Sequence, residues 1–307
     1  MNREFTAGVS PERGENADSA PYSPTDDCVG VLIVNRNKRD YLLRALEHVF
    51  ASTHPHLKVV VADDHSVDDS VAAVRERHPD VHVIVTHERR GAPGIRNDGI
   101  QPLLEDSSVR FVVFLDNDAF VDPGAISAMM EAANRDPSIG IVAPKAFRNR
   151  SERILYSAGE LRVNFCTGTV RDVGAGEVDK GQHDVARAIQ ACASFAMLVR
   201  REVIEVCDGF DEAFYPYGWE DVDFTLRARQ HGYTIWYAPA ATVEHLGGKM
   251  GRGLVLDYEI AKARNLFRLM ARHASWLQWV SFLIVLPWRA ALMVLSRILG
   301  RVMIGSR

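Results

Sequence analysis

The chain has 307 residues, 47% of them hydrophobic and 25% charged, which is the composition of a folded globular protein. Its net charge of −4 gives no overall positive field, so nucleic acid is excluded as an expected partner. The four cysteines are far apart and form no CxxC pair, which argues against a disulfide or zinc framework and predicts reduced thiols in a cytoplasmic protein.

Residues 1–27 differ in composition from the rest of the chain. They are rich in Pro, Ser, Gly, Asp and Glu, and no apolar run precedes Val29. Such a segment cannot bury enough apolar surface to fold, so we expect a disordered tail without a secretory signal.

The next part of the chain alternates apolar runs with segments of helical periodicity. Four strands are predicted, at residues 29–34, 57–62, 81–85 and 111–115. Three helices are predicted between them, at residues 41–50, 69–77 and 95–104. This alternation indicates βαβ units and a mostly parallel sheet. Because the strands are hydrophobic throughout, we expect the sheet to be covered on both faces.

The pattern becomes less regular after a further apolar run at residues 139–143. Residues 145–187 are polar with short alternating pieces, which indicates antiparallel strands and loops. Two further strands are predicted at residues 191–199 and 234–237, and two helices at residues 221–231 and from residue 201 onward. An aromatic loop is predicted at residues 208–218. The predicted fold is an α/β domain over residues 28–250, with a mostly parallel sheet flanked by helices and a smaller antiparallel part.

Residues 251–307 predict C-terminal helices. Between residues 276 and 296 the only charged residue is Arg289, so this run is long enough for a transmembrane helix. On a helical wheel, the polar side is formed by Gln278, Arg289, Ser296, Arg297, Gly300 and Arg301. Tryptophan and aliphatic residues form the other side, which favours a helix lying in the headgroup plane of a membrane.

Cations upstream of this helix add to the same expectation. They are Lys262, Arg264, Arg268 and Arg272. Clustered cations beside an apolar helix predict peripheral contact with an anionic membrane. A helix packed on the domain, or a homodimer formed through it, is the alternative.

Three acidic clusters follow predicted strands or open a predicted helix. They are Asp63 and Asp64; Asp116, Asn117 and Asp118; and Glu220 and Asp221. Open parallel sheets bind ligands beyond the carboxyl ends of their strands. Asp116 and Asp118 repel each other unless a cation lies between them, and Mg²⁺ or Mn²⁺ suits such a site because it completes its shell with water and phosphates.

Two common nucleotide-binding motifs are absent from the sequence. No GxGxxG lies at the first strand–helix turn, and no GxxxxGK[ST] occurs anywhere. The dinucleotide oxidoreductases and the P-loop enzymes are therefore disfavoured.

Seven segments between residues 29 and 248 together resemble glycosyltransferase family 2, whose members have the GT-A fold. They are VLIVNRN, VVVADDHSVDDS, RRGAPGIRNDGI, FVVFLDNDAFVDPGA, ACASFAMLVRREV, GFDEAFYPYGWEDVDFTLRARQHGY and VEHLGG. The resemblance implies an inverting transfer, in which an acceptor hydroxyl attacks the anomeric carbon of a nucleotide-sugar donor directly.

The resemblance also implies roles for residues on the donor side. Asn35 and Asn37 would border the nucleotide pocket, and Asp63 would contact the nucleoside. Arg96 and Asn97 would line the nucleotide and diphosphate. Asp63 as a simple turn cap is the alternative.

A second group of implied roles concerns the metal. Asp116 and Asp118 would bind metal and donor phosphates, with Asn117 between them in the donor site. His245 would be the third metal ligand, through a neutral imidazole nitrogen.

Asp221 would be the general base, with Glu220 beside it, and Trp219 would form a wall of the acceptor pocket. The two acids can instead serve only the helix dipole, and Trp219 only core packing.

The expected protein is thus a metal-dependent glycosyltransferase at the inner face of the cell membrane, acting on a glycan or lipid-linked acceptor. A sugar nucleotidylyltransferase of related fold is the alternative. Such enzymes need a Gly-rich basic loop after the first strand, and here that segment is NRNKRDYL, without glycine.

Overall fold

The computed structural model describes residues 27–247 and 255–289. The predicted tail, apart from Asp27, and the end of the predicted C-terminal helix with Arg297 and Arg301 lie outside the described residues.

The amino-terminal half forms the parallel part of the sheet, as predicted. In chain order its elements are β1 (Cys28–Asn35), α1 (Arg39–Phe50), β2 (Leu57–Asp63), α2 (Ser70–Arg77), β3 (His82–Val85), α3 (Gly91–Leu104) and β4 (Val109–Asp116). β1 pairs in parallel with both β2 and β4, and β3 extends the sheet beyond β2. The ends of β1, β2 and β4 therefore meet at one edge.

The remaining elements complete this sheet and add a small second one. They are β5 (Ala119–Val121), α4 (Ala125–Ala133), β6 (Ile139–Asn149), β7 (Ile154–Ser157), β8 (Leu161–Asn164), β9 (Thr169–Asp172), β10 (Arg187–Ile189), β11 (Ala196–Arg200), α5 (Arg201–Val206), α6 (Glu220–Gln230), β12 (Thr234–His245), α7 (Val255–His273) and α8 (276–289). β11 lies antiparallel between β4 and β6, and β12 pairs in parallel with β6. β8 and β9 form the predicted separate antiparallel pair, whereas β5 and α4 were not predicted.

The sheet is buried on both faces, as the uninterrupted apolar strands predicted. Ile33 and Leu46 belong to the cluster on the face covered by α1, and Leu32 and Leu103 to the cluster on the face covered by α3. A Cβ on Gly99 would lie 2.4 Å from a methyl carbon of Leu32. Glycine at this position therefore lets α3 lie close to β1.

The four cations predicted to face a membrane contact the domain. Lys262 lies over the Trp219 ring, Arg264 donates to the Tyr215 carbonyl, Arg268 lies over the Phe214 ring, and Arg272 binds Asp211 and Asp223. Their charged groups hold α7 against the domain. Arg264 and Arg272 remain exposed in this arrangement, and their contact with anionic headgroups stays a prediction.

α8 (276–289) packs one side on the domain and leaves its apolar side exposed. Phe282 is fully buried, and Arg289 donates to the Thr167 carbonyl in the turn between β8 and β9. Arg289 thus points to the protein and not to solvent. The exposed side is apolar and consists of Trp276, Leu277, Val280, Leu283, Ile284 and Trp288. Within the described ranges, no helix combines the length and apolar character needed to cross a membrane.

Candidate active site

A cleft of about 740 Å³ opens at the edge where β1 and β4 end. Its polar lining consists of Asn35, Arg36, Lys38, Asp64, Arg89, Asp116, Asn117, Asp118, Arg148, Tyr156, Tyr217 and His245. Five residues proposed from the sequence therefore line this cleft together, and we call them the cleft wall: Asn35, Asp116, Asn117, Asp118 and His245. The topology explains this, because β1 and β4 are neighbours and β12 returns beside β5.

Asn35 is the centre of a buried polar network behind this wall. Its amide donates to the Asp63 carboxylate over 2.7 Å and accepts from the Asn117 amide over 2.6 Å. The backbone and hydroxyl of Ser66 also donate to Asp63, which is completely buried. The structure thus places Asp63 in the framework, while Asp64 lines the cleft and accepts the backbone amide of Arg90 over 2.6 Å.

Asp116, Asp118 and His245 form a group able to hold a metal ion. One potential ligand atom from each lies within 4.8 Å of the others. His245 reaches this position because β12 pairs with β5, directly after Asp118. Two carboxylates suit both Mn²⁺ and Mg²⁺, and the imidazole favours Mn²⁺ over Mg²⁺, which prefers oxygen ligands.

The environment of His245 supports this assignment. Its ring stacks on Phe195 with 4.4 Å between ring centroids and meets Tyr156 edge-on at 4.3 Å. Nε2 lies 3.1 Å from the Asp118 carboxylate, whereas the buried Nδ1 has no hydrogen-bond partner among the described residues. A buried imidazole nitrogen without a partner is uncommon unless it serves a ligand. The residues present therefore fit a divalent cation.

Asp118 is almost fully buried and remains strongly acidic. The ammonium of Lys38 lies 2.7 Å from one of its oxygens, and His245 contacts the other. Burial alone would raise the pKa of Asp118, but the bonds from His245 and Lys38 hold that pKa well below its usual range. The carboxylate is thus ready to bind a cation.

Arg96 connects this group to the acidic pair that opens α6. Its guanidinium, which is 4% exposed as a residue, donates to Asp116 over 2.9 Å and to Glu220 over 3.3 Å. Arg96 does not line the cleft; it lies beneath Asp116. A buried cation shared by two carboxylates fixes their relative positions.

Glu220 and Asp221 lie in the first turn of α6. Glu220 accepts from Arg96 with one oxygen and from the Gly218 backbone with the other, while one oxygen of Asp221 accepts from the Val222 amide. Burial raises the pKa of Glu220, and the charge of Asp221 raises it further; burial also raises the pKa of Asp221. Raised carboxyl pKa values are typical of groups that exchange protons.

Glu220 and Asp221 are not among the residues that line the cleft, and neither are three others proposed from the sequence. Asn37 accepts from the Val67 amide, and Asn97 exchanges two hydrogen bonds of 2.8 Å with the backbone of Phe210. Trp219 donates to the Lys262 carbonyl and packs with a small apolar cluster. In the structure these side chains hold loops and helices in place.

Several cleft residues were missed by the sequence reasoning. Lys38, Arg148 and Tyr156 line the same cleft as the metal group. The sequence does carry a signal for Lys38, because it is a cation of the NRNK segment, three residues after Asn35. Arg148 and Tyr156 come from β6 and β7, in a polar region whose pairing has no clear sequence signal.

The fold is that of the GT-A glycosyltransferases. The structure aligns with a crystal structure of GalNAc-T7 with UDP, GalNAc and Mn²⁺ at a TM-score of 0.59 and 17% identity, covering 73% of this chain and 44% of that chain. It also aligns with the mannosyltransferase PcManGT from Pyrobaculum calidifontis in complex with GDP-Man and Mn²⁺, at a TM-score of 0.57 and 21% identity. That alignment covers 92% of this chain and 78% of the other.

The sequence profile of Glycosyl transferase family 2 matches residues 30–207, and the chain belongs to this family. An N-acetylglucosaminyl-diphospho-decaprenol L-rhamnosyltransferase of Mycobacterium tuberculosis is 25% identical over 271 residues, which cover 81% of this chain and 86% of that protein. A poly-beta-1,6-N-acetyl-D-glucosamine synthase of Staphylococcus aureus is 24% identical, over 74% of this chain and 54% of that protein. These relatives carry names of enzymes that build glycans, the first of them on a lipid diphosphate.

Proposed function

We propose that this protein is an inverting glycosyltransferase that moves a sugar from a nucleotide-sugar donor to a hydroxyl of a lipid-linked glycan. The observation that carries the proposal is the convergence of Asp116, Asp118 and His245 in a cleft, tied through buried Arg96 to the acidic pair of α6. On this proposal, the phosphate site and the base lie on two sides of one buried cation.

On the donor side, Asp116, Asp118 and His245 would hold Mg²⁺ or Mn²⁺. When bound, the ion neutralises charge that develops on the leaving diphosphate. Asn35 and Asn117 border the nucleotide from the ends of β1 and β4. Asp63, Asn37, Arg96 and Asn97 support this wall from behind through the bonds described above.

On the acceptor side, Asp221 takes the proton of the attacking hydroxyl. Both oxygens of Glu220 are already engaged, by Arg96 and by the Gly218 amide. Asp221 accepts from the backbone of Val222 and Ser194, has no bond from a charged side chain among the described residues, and is partly exposed. This difference favours Asp221 as base and Glu220 as the residue that positions Arg96, with Trp219 fixing the start of α6. Direct attack on the anomeric carbon needs no nucleophilic side chain and inverts its configuration.

The acceptor and the site of action are inferred from the relatives and from α8. The Mycobacterium tuberculosis relative is named for a sugar–diphosphate–lipid acceptor. α8 exposes a continuous apolar side with two tryptophans, and residues 274–307 contain no acidic residue. Such a helix suits the anionic inner face of the cell membrane. We therefore assign the protein to that surface as a peripheral enzyme.

The proposal is tested by following both products of the reaction. Purified full-length protein is incubated with labelled UDP-, dTDP- or GDP-sugars and a membrane lipid extract. We expect label in the organic phase and release of nucleoside diphosphate, both lost in EDTA and restored by Mn²⁺ or Mg²⁺. Asp118→Ala should abolish transfer, because it removes a buried ligand.

Asp40→Ala, at a fully solvated aspartate of α1, is the matched control and should leave transfer unchanged. A parallel incubation with a nucleoside triphosphate and a sugar 1-phosphate tests the alternative, because pyrophosphate released there would identify a sugar nucleotidylyltransferase. Full activity in EDTA would overturn the metal assignment.

A further inference from the structure

The ion pair between Lys38 and Asp118 sits inside the candidate metal group. The Lys38 ammonium lies 2.7 Å from one Asp118 oxygen, and Nε2 of His245 lies 3.1 Å from the other. Asp118 is 4% exposed, whereas one third of the Lys38 side chain is exposed. The Lys38 ammonium thus neutralises Asp118, and the exposed part of the Lys38 side chain gives it room to move away.

Each carboxylate of the group already has a cationic partner. Asp116 is paired with Arg96, and Asp118 with Lys38. A divalent cation that binds here must compete with Lys38 for Asp118, and its charge comes to lie beside the Lys38 ammonium, which is unfavourable. A nucleoside diphosphate offers the displaced ammonium a new anionic partner. Metal and nucleotide should therefore bind better together than either does alone.

We propose that Lys38 couples metal binding to donor binding. Its ammonium holds Asp118 in the free enzyme and turns to the donor diphosphate when metal and nucleotide bind. Lys38 lines the same cleft as Arg36 and Arg89, so the ammonium needs only a side-chain rotation to reach an anion there. The inference rests on the metal site of the proposed function.

The first measurement is Mn²⁺ affinity without nucleotide, from the paramagnetic resonance signal of free Mn²⁺. Lys38→Met removes the charge and keeps the length of the side chain. It should bind Mn²⁺ about tenfold more tightly than wild type, because repulsion between cations a few ångströms apart is lost. Lys38→Gln should behave like Lys38→Met, and Lys38→Arg like wild type.

Lys58→Met is the matched control. Lys58 is also paired with an aspartate, Asp106, at 3.0 Å, but neither residue lines the cleft. This variant should bind Mn²⁺ as wild type does. Loss of the Lys38 charge leaves the buried Asp118 carboxylate with His245 as its partner, so Lys38→Met and Lys38→Gln should lose thermal stability without Mn²⁺ and regain it when Mn²⁺ binds.

The second measurement repeats the titration with UDP, dTDP or GDP, whichever stabilises the wild type. Nucleotide should tighten Mn²⁺ binding in the wild type, and this enhancement should fall about tenfold in Lys38→Met, because that variant has no ammonium to move from Asp118 to the diphosphate. Equal affinities and equal enhancement in wild type and Lys38→Met would overturn the role of Lys38 and leave the metal site intact. A wild type that binds no Mn²⁺, with or without nucleotide, would overturn the metal site itself.

Discussion

At the scale of single residues, Asp221 and Glu220 show how neighbours of the same chemistry acquire different roles. Glu220 is held by Arg96 and by the Gly218 amide, so its position is fixed from both sides. Asp221 has no ion pair among the residues that the structure describes and is partly exposed, so it is the freer carboxylate. The difference arises from contacts and not from residue type.

Asp221→Asn keeps the shape of the side chain but cannot accept a proton. The transfer rate should fall by about 10²–10⁴, the usual contribution of a general base. Nucleotide affinity in the presence of Mn²⁺ should stay unchanged, because the metal group is intact. Steady-state kinetics and a nucleotide titration measure both. A nearly active Asp221→Asn combined with an inactive Glu220→Gln would show that the two roles are reversed.

The pH profile gives an independent test of the same residue. A base must be unprotonated to act, so the rate should rise as pH increases through the pKa of Asp221. Burial raises that pKa, and the acid limb should therefore lie above the ordinary range of an aspartate. An acid limb at or below pH 4, near the ordinary aspartate pKa of about 3.9, would exclude Asp221 as the base.

At the scale of elements, α7 packs against α6 and against the loop before it, which contains Tyr217. Asn265 of α7 donates to the carbonyls of Phe214 and Tyr217, at 2.7 and 3.0 Å, and Tyr217 lines the cleft. The domain boundary expected near residue 250 would separate α7 from these contacts. We propose that the functional domain extends through α7, to His273.

Asp223 is the central contact between α6 and α7. It is completely buried and accepts from Arg227, Arg272 and His273. Asp223→Asn should lower the free energy of unfolding by about 3 kcal/mol, since removing one partner leaves buried cations uncompensated. Urea unfolding followed by circular dichroism measures this change.

Glu131→Gln is the control for this substitution. Glu131 of α4 is 72% exposed and pairs with Arg135, which follows the end of this helix. Loss of such a surface pair should change the free energy of unfolding by less than about 0.5 kcal/mol. Equal effects of the two substitutions would show that the Asp223 cluster does not hold α7 in place.

At the scale of the whole molecule, the β8–β9 pair lies between α8 and the acidic residues of the site. The Thr167 carbonyl and Gly168 contact α8 at one end of the pair. At the other end is Asp172, whose pKa is raised to about 6 by burial and by the charge of Asp221. A membrane-bound α8 would therefore bring the acceptor side of the cleft near the lipid surface.

Full-length protein should sediment with anionic vesicles and be partly released by high salt or alkaline carbonate. Leu277→Gln combined with Ile284→Gln should weaken sedimentation, because both side chains belong to the exposed apolar side of α8. Val67→Gln, at an equally exposed apolar residue elsewhere, is the control. Resistance to carbonate would favour a membrane span, and failure to bind vesicles would favour a homodimer or another packed arrangement.

The sequence by itself determined the α/β fold, the parallel strands and the location of the acidic clusters. These features depend on local periodicity and on the rule that parallel strands end at one edge. It also predicted Asp116, Asp118 and His245 through the family resemblance, although 127 positions separate Asp118 from His245.

Only the tertiary structure decided which polar residues face the cleft and which support it. Asp63 and Asp64 are adjacent in sequence, yet Asp63 is buried by Asn35 and Ser66 while Asp64 lines the cavity. The orientation of α8 likewise depended on Phe282 and Arg289 finding partners near Gly168. A helical wheel gives the polar and apolar sides of a helix, but the surface it packs against decides which side is exposed.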